Sequence, residues 1–151
     1  VVYKFLLVST PAKDTRIVGG EDVDITDVPY QVSLLYRGRH SCGGAIVAND
    51  LVITAAHCIM GSQSRDLQIR AGSSSSLTGG ELYQVGDYVY HSNFTFSNMD
   101  CDVGLIWLTT PLEFSDRVAP INLYEQGVEI EGGKETIVTG WGNLRVSILT
   151  H

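Results

Sequence analysis

Residues 51–58 read L-V-I-T-A-A-H-C, and in this stretch a short apolar run meets a single histidine. The apolar residues 51–53 favour a buried strand, and the small residues after them can open a turn of helix. His57 is therefore predicted to lie where a strand gives way to a helix, at the rim of a rigid element. Because the unperturbed pKa of imidazole suits proton transfer near neutral pH, His57 is a candidate general base. The alternative is an ordinary hydrogen-bonded histidine at a helix start.

The composition of the 151 residues favours one globular domain rich in β-structure. Hydrophobic residues make up 44% of the chain, which is enough for a sizeable core. The 16 glycines and the alternating apolar stretches, without a long helical periodicity, indicate an all-β fold. A long strand-like run at 81–91 is predicted to break at Gly86 and Asp87. The net charge is -7 and the chain has no cluster of lysines and arginines, so we expect no nucleic-acid partner and no membrane partner.

Three cysteines are present, an odd number for an oxidised framework. Cys42 and Cys58 are the natural pair, because each lies beside an apolar strand-like run. Closing a loop of about 15 residues between them would stabilise the fold by roughly 3 kcal/mol. Cys101 is left over, and it is either a buried free thiol or the partner of a cysteine outside these residues.

The first residues, V-V-Y-K-F-L-L-V at 1–8, are apolar with one lysine and precede small or turn-forming residues. This pattern is typical of the end of a secretory signal peptide whose beginning has been lost, and it is too short to span a membrane. The alternative is an ordinary N-terminal strand. We favour the signal peptide, because a disulfide also requires an oxidising compartment, and we expect a secreted, extracellular protein.

Six short motifs follow one another along the chain: R-I-V-G-G at 16–20, P-Y-Q-V-S-L at 29–34, H-S-C-G-G at 40–44, T-A-A-H-C at 54–58, D-V-G-L-I at 102–106 and V-T-G-W-G at 138–142. Together they resemble the chymotrypsin/trypsin family of serine endopeptidases over about residues 16–144. Within that family the sequence is most similar to digestive, trypsin-like enzymes of animals.

The resemblance implies an all-β architecture: the first antiparallel six-stranded barrel of the two-barrel trypsin-like fold, with only the opening strand of the second barrel. It divides the chain into a signal-peptide remnant and activation propeptide (1–16), the first barrel (17–120), and a crossing segment with the truncated start of the second barrel (121–151). We expect the opening strand, near residues 136–141, to be unpaired and to expose an edge that favours aggregation.

The resemblance also assigns chemistry to named residues. His57 would act as general base and then general acid, and Asp102 would receive its Nδ1 proton and stabilise the imidazolium. An acid before an apolar strand is costly to bury without such a partner. Asp100 is the competing acid, but Asp102 directly precedes the V-G-L-I run, and we expect Asp100 to be a solvated loop charge. Cleavage after Arg16 by a trypsin-like protease would free the amino group of Ile17.

One element of the family pattern is missing from the 151 residues. No serine lies in a G-D-S-G-G segment or in any G-x-S-x-G context, so the chain contains no candidate nucleophile. We therefore expect this polypeptide by itself to be inactive as a protease. The favoured hypothesis is an incomplete part of a secreted zymogen that acts on proteins or peptides and that protein inhibitors could block. The alternatives are a naturally short, noncatalytic homologue acting as a binding module, and a full-length but inactive homologue.

Two further expectations concern modification and metals. Asn93 begins the tripeptide Asn-Phe-Thr, an N-glycosylation sequon, and is either glycosylated or unmodified. Some family members bind calcium with carboxylates near residues 73–80, but this segment has none, so we predict no metal site. We expect no cofactor.

Overall fold

The structure is a computed structural model that describes residues 2–7, 20–128 and 135–142; between residues 3 and 7 it describes the backbone alone. The strands are β1 (Val2–Leu7), β2 (Glu21–Val23), β3 (Gln31–Tyr36), β4 (Arg39–Ala48), β5 (Leu51–Thr54), β6 (Leu67–Ala71), β7 (Glu81–Tyr90), β8 (Gly104–Leu108) and β9 (Thr136–Gly140). The helices are the short α1 (Ala56–Ile59) and two 3-10 turns, Ile25–Asp27 and Ser64–Asp66. No helix in these described ranges is long and apolar enough to cross a membrane.

Six of the strands close into an antiparallel barrel in the order β3-β4-β5-β8-β7-β6. The predicted all-β fold with a six-stranded barrel is therefore confirmed. Alternate residues of β6 point inward, so that Leu67, Ile69 and Ala71 are buried while their neighbours are half-buried. Large aliphatic side chains from β3, β4, β5 and β8 meet them in one core. Burying each such side chain contributes about 1.5–3 kcal/mol, and this core fixes the elements that carry the candidate site.

Strand β7 is longer than the sequence predicted. The run was predicted to break at Gly86 and Asp87, but β7 continues from Glu81 to Tyr90. Its pairing with β8 shifts register between Val85 and Asp87, so Gly86 lies in an irregularity of the ladder. A glycine tolerates such an irregularity, and the strand continues through it.

A second, three-stranded sheet has the order β2-β1-β9. Strand β1 pairs with β9 over five residues, from Tyr3 opposite Gly140 to Leu7 opposite Thr136. The expectation that the strand near 136–141 is unpaired was therefore wrong, because β1 covers one of its edges. The backbone of residues 2–7 forms a strand, as in the alternative to the signal-peptide interpretation. Removal of this segment as a signal peptide stays a prediction.

Strand β9 is also attached to the barrel by polar and aromatic contacts. Thr139 donates a hydrogen bond from Oγ1 to Oε1 of the buried Gln31 at 2.6 Å. Trp141 donates from its indole nitrogen to the carbonyl of Ser74 at 3.0 Å, and its ring meets that of His40 edge-on at 5.7 Å. These contacts hold the C-terminal half of the last described segment, residues 135–142, against the first barrel.

Candidate active site

His57 lies where the sequence predicted it, in the first turn of α1 just after the end of β5. Thr54 ends the strand and anchors it by donating from Oγ1 to the carbonyl of Gly43 at 2.8 Å. Ala56 and Ile59 are the buried residues of α1, and they turn the exposed His57 towards solvent. The imidazole is thus held on a rigid junction, with 42% of the side chain accessible.

Asp102 lies beside His57 because the start of β8 pairs with the end of β5, with Gly104 opposite Thr54. It lies in the loop between β7 and β8, whose base is closed by a hydrogen bond from the backbone N–H of His91 to the carbonyl of Val103 at 3.0 Å. The two carboxylate oxygens both bind His57: Oδ2 lies 2.6 Å from Nδ1 of the ring, and Oδ1 accepts the backbone N–H at 2.9 Å. The loop therefore delivers a charge to a half-buried position, where only 20% of the Asp102 side chain is accessible.

The carboxylate also caps the first turn of α1. Ala55, the residue before the helix, has no side-chain cap, so the first N–H groups of α1 need an acceptor from elsewhere. Asp102 supplies it through its contacts with the backbone of Ala56 and His57. Negative charge at a helix N-terminus is favourable, although in a four-residue helix the local hydrogen bonds matter more than any dipole.

Opposing effects act on the pKa of the Asp102 carboxyl group. Loss of solvent would raise it, but hydrogen bonds from the backbone and ring of His57, attraction to that ring and the N–H of Ala56 together lower the pKa below its ordinary value. The carboxylate therefore stays ionised at neutral pH. An ionised carboxylate can only accept hydrogen bonds, so Nδ1 of His57 must carry the proton.

The remaining ring nitrogen of His57 lies beside a disulfide. Cys42 on β4 and Cys58 on α1 are bonded to each other, with a Cα–Cα distance of 6.2 Å, and Sγ of Cys58 lies 3.3 Å from Nε2. These three side chains are close enough to suggest a metal site, since their potential ligand atoms lie within 4.8 Å of one another. The ligand form of cysteine is the thiolate, however, and both sulfurs are already engaged in the bond. Neither sulfur of this disulfide is therefore available as a thiolate ligand.

A groove of about 370 Å³ opens beside His57 and the disulfide, between Tyr36, Ser41 and Ser62. It is open to solvent, and Ser41 is engaged by donating its hydroxyl to the carbonyl of Leu34 at 3.1 Å. A larger cavity of about 570 Å³ lies between Glu81, Glu113 and Arg117, and its lining does not include His57. The smaller groove is the better candidate for substrate, because it contains the histidine.

The structure separates the other sequence candidates from this site. Asp100 is exposed, and its carboxylate accepts the neighbouring N–H of Cys101 at 3.0 Å. Cys101 is half-buried and carries no disulfide. Asn93 is exposed in the loop that ends at Asp102. Arg16 and Ile17, the predicted activation site, lie outside the described residues.

Sequence reasoning missed the backbone of Ala56 and the groove residues Tyr36, Ser41 and Ser62. Their contribution depends on the closure of the barrel, which brings β3, β4 and α1 together, and no local pattern marks them.

The family described as Trypsin has a sequence model that matches residues 17–148. The chain is 51% identical over 142 residues to the vitellin-degrading protease of Bombyx mori, covering 92% of this chain and 54% of that protein. It is 38% identical to a trypsin of Phaedon cochleariae and 37% identical to trypsin delta of Drosophila melanogaster, covering 89% of this chain in each case and 54% and 52% of those proteins. The chain thus spans about half the length of the curated relatives it matches.

Among solved structures, the scabies mite inactivated protease paralogue S-D1 is similar with a TM-score of 0.71 and 29% sequence identity. The match covers 76% of this chain and 49% of that one. Similarity of fold therefore extends to a relative whose name describes it as inactivated.

Proposed function

The chain belongs to the trypsin family, and from this premise we propose that the whole protein is a secreted serine endopeptidase made as a zymogen. The observation that carries the proposal is the two-point contact of Asp102 with His57, at 2.6 Å to the ring and 2.9 Å to the backbone. The contact fixes the proton on Nδ1, which leaves Nε2 able to accept a proton in the reaction. The similarity to the vitellin-degrading protease, whose name describes a protease acting on a protein, agrees with a protein or peptide substrate.

In the proposed mechanism His57 transfers a proton and Asp102 supports it. Nε2 of His57 takes the proton of a serine hydroxyl as that oxygen attacks the peptide carbonyl, and then gives the proton to the leaving amine. Asp102 keeps the proton on Nδ1 and stabilises the imidazolium that forms between the two steps. The serine and the N–H groups that stabilise the oxyanion would come from sequence beyond these 151 residues, which contain no G-D-S-G-G segment.

Activation is the second part of the proposal. A trypsin-like protease would cut after Arg16, remove residues 1–16 and free the amino group of Ile17. Residues 17–120 would then form the first barrel, and residues 121–151 would lead into the second. Protein protease inhibitors that occupy the cleft between the two barrels would be further partners.

A noncatalytic homologue acting as a binding module is the second candidate function. One observation favours it: a similar solved structure is that of an inactivated paralogue. Against it stands the geometry of His57 and Asp102, which binding alone would not require.

Measurements on the native protein, purified from its source, distinguish the two candidate functions. Its intact mass, its terminal peptides and its hydrolysis of peptide esters should be measured together. A mass well above 16.4 kDa, a mature N-terminus at Ile17 and hydrolysis that is lost in a His57→Ala variant would support the protease. Full-length protein that starts at Ile17 and hydrolyses no peptide or ester would overturn it in favour of the binding module.

A further inference from the structure

The loop between β7 and β8 presents the Asn-Phe-Thr tripeptide in a folded turn. Phe94 is buried, with 5% of its surface accessible, whereas Asn93 and Thr95 on either side of it are exposed. The ring of Phe94 packs edge-on against that of Phe96 at 5.1 Å, and its backbone N–H binds the carbonyl of His91 at 2.9 Å. The buried phenylalanine thus anchors the turn and directs the amide of Asn93 to solvent.

From this arrangement we propose that Asn93 carries an N-linked glycan. Asn93 is the asparagine of the sole Asn-x-Ser/Thr tripeptide in the 151-residue sequence, and its middle residue is not proline. In the transfer, Nδ2 of Asn93 forms a bond to the first sugar of a lipid diphosphate-linked oligosaccharide. The bond between that sugar and the diphosphate breaks, and the amide loses one proton. The exposed position then accommodates the glycan without displacing any core side chain.

The glycan would stand near the candidate active site, and this part of the inference rests on the proposed protease function. The loop is closed between His91 and Val103, so Asn93 is two residues from one side of its base and Asp102 is one residue from the other. With about 3.8 Å between successive Cα atoms and about 5 Å between paired segments, the Cα atoms of Asn93 and Asp102 are at most about 17 Å apart. A bulky, hydrated group there restricts the approach of large folded substrates more than that of short peptides.

Modification is tested first, by a measurement that does not depend on activity. The native protein is digested, treated with peptide N-glycosidase and sequenced by mass spectrometry, and we expect Asn93 to appear as Asp. Asn98, exposed in the same loop but followed by Met-Asp, is the matched control and should remain Asn. Detection of the peptide with unmodified Asn93 before treatment would overturn the proposal.

Variants of the full-length protein, secreted from animal cells, separate the sequon from the fold. Asn93→Gln and Thr95→Ala should both lower the mass by one glycan, whereas Thr95→Ser should retain it because the hydroxyl remains. Thr95 also donates to Oδ1 of Asn98 at 2.5 Å, so Asn93→Gln is the variant that leaves this loop contact in place. If Asn93→Gln secretes with unchanged mass, the glycan is not on this residue.

The effect on substrates is measured with the activated protein. We expect Asn93→Gln to raise kcat/KM several-fold for a large folded protein while leaving kcat/KM for a short peptide ester unchanged. If the ratio of kcat/KM for the folded protein to kcat/KM for the peptide ester is the same in the wild type and in Asn93→Gln, the steric role is overturned. The mass result would still stand. No hydrolysis of either substrate would count against the protease function and not against the glycan.

Discussion

One carboxylate holds His57 at two points: Oδ2 of Asp102 lies 2.6 Å from Nδ1 of the ring, and Oδ1 accepts the backbone N–H of the same residue at 2.9 Å. The ring and the first turn of α1 are therefore both fixed to the same carboxylate on the β7–β8 loop. Because the ionised carboxylate can only accept, the proton stays on Nδ1 and Nε2 remains free to accept one. A single carboxylate thus sets both the position and the tautomer of the imidazole.

Replacing Asp102 by Asn in the full-length, activated protein should lower kcat by about 10⁴-fold, the loss characteristic of this kind of triad. Asparagine keeps the size of the side chain, but its amide can leave the proton on the wrong nitrogen of His57. Steady-state hydrolysis of a peptide ester measures the effect. Asp100→Asn removes a charge from the same loop and is the matched control, with activity near that of the wild type. Equal losses in the two variants would contradict the assignment of Asp102.

The same contact predicts a dependence of stability on pH. Desolvation opposes ionisation of Asp102, but the hydrogen bonds from His57 outweigh it, so the pKa of the carboxyl group is lower in the folded state than in the unfolded chain. Its contribution to stability is then present above the unfolded pKa and is lost as the pH falls below about 4. Urea midpoints of the wild type and of Asp102→Asn should therefore converge between pH 6 and pH 3.

The hydrogen bonds of Asp24 to Thr26 also lower its pKa, so other carboxyl groups contribute to acid unfolding in both proteins. For that reason the quantity to compare is the difference between the two midpoints. A difference that stays constant from pH 6 to pH 3 would mean that His57 does not favour the charged form of Asp102.

Local sequence patterns were enough to predict an all-β fold and the position of His57, whereas the six-stranded barrel followed from the family resemblance. Alternating apolar residues predict strands, and the run at 51–53 followed by small residues predicts the junction at which the histidine lies. Asp102 is preferred to Asp100 because it directly precedes the V-G-L-I run, where the family pattern has an acid, and the structure gives the contact with His57 to Asp102. These inferences depend either on residues that are neighbours along the chain or on motifs that the family resemblance links.

What the sequence did not predict depends on distant segments. Nothing local indicates that β1 would pair with β9, because the register joins residues more than a hundred positions apart. The capping of α1 by Asp102 is equally non-local, since it requires the β7–β8 loop to close over the helix. The continuation of β7 through Gly86 is also not predictable locally, since a glycine in a strand pattern fits a break or a bulge equally well.

The disulfide should contribute measurably to stability. Replacing Cys42 and Cys58 together by Ser removes a cross-link between residues 16 positions apart. We expect the free energy of unfolding, from urea titration of the full-length protein, to fall by about 3 kcal/mol. Cys101→Ser is the matched control, because this cysteine is unpaired in the structure and the substitution should change stability little. If the control were as damaging as the double variant, Cys101 would have a structural partner in the complete protein.

Gly44 marks a close approach between neighbouring strands of the barrel wall. A Cβ atom there would lie 2.9 Å from the carbonyl oxygen of Ile53, 3.0 Å from the side chain of Val52 and 3.2 Å from that of Val32. The first is a backbone atom and the other two belong to the packed core, so none can move away cheaply. We expect Gly44→Ala to lower the free energy of unfolding by about 1–3 kcal/mol, measured by urea titration.

Gly142→Ala is the control for this effect, because a Cβ atom at that position meets nothing within 4 Å among the described residues. Its free energy of unfolding should match the wild type or exceed it slightly, since alanine restricts the unfolded chain. Cys42 lies on β4, and β5 leads into the helix that contains His57. Strain at Gly44 should therefore also displace the imidazole and lower kcat. A Gly44→Ala protein with unchanged stability and unchanged kcat would mean that the barrel can widen here without cost, and that the position of His57 does not depend on this contact.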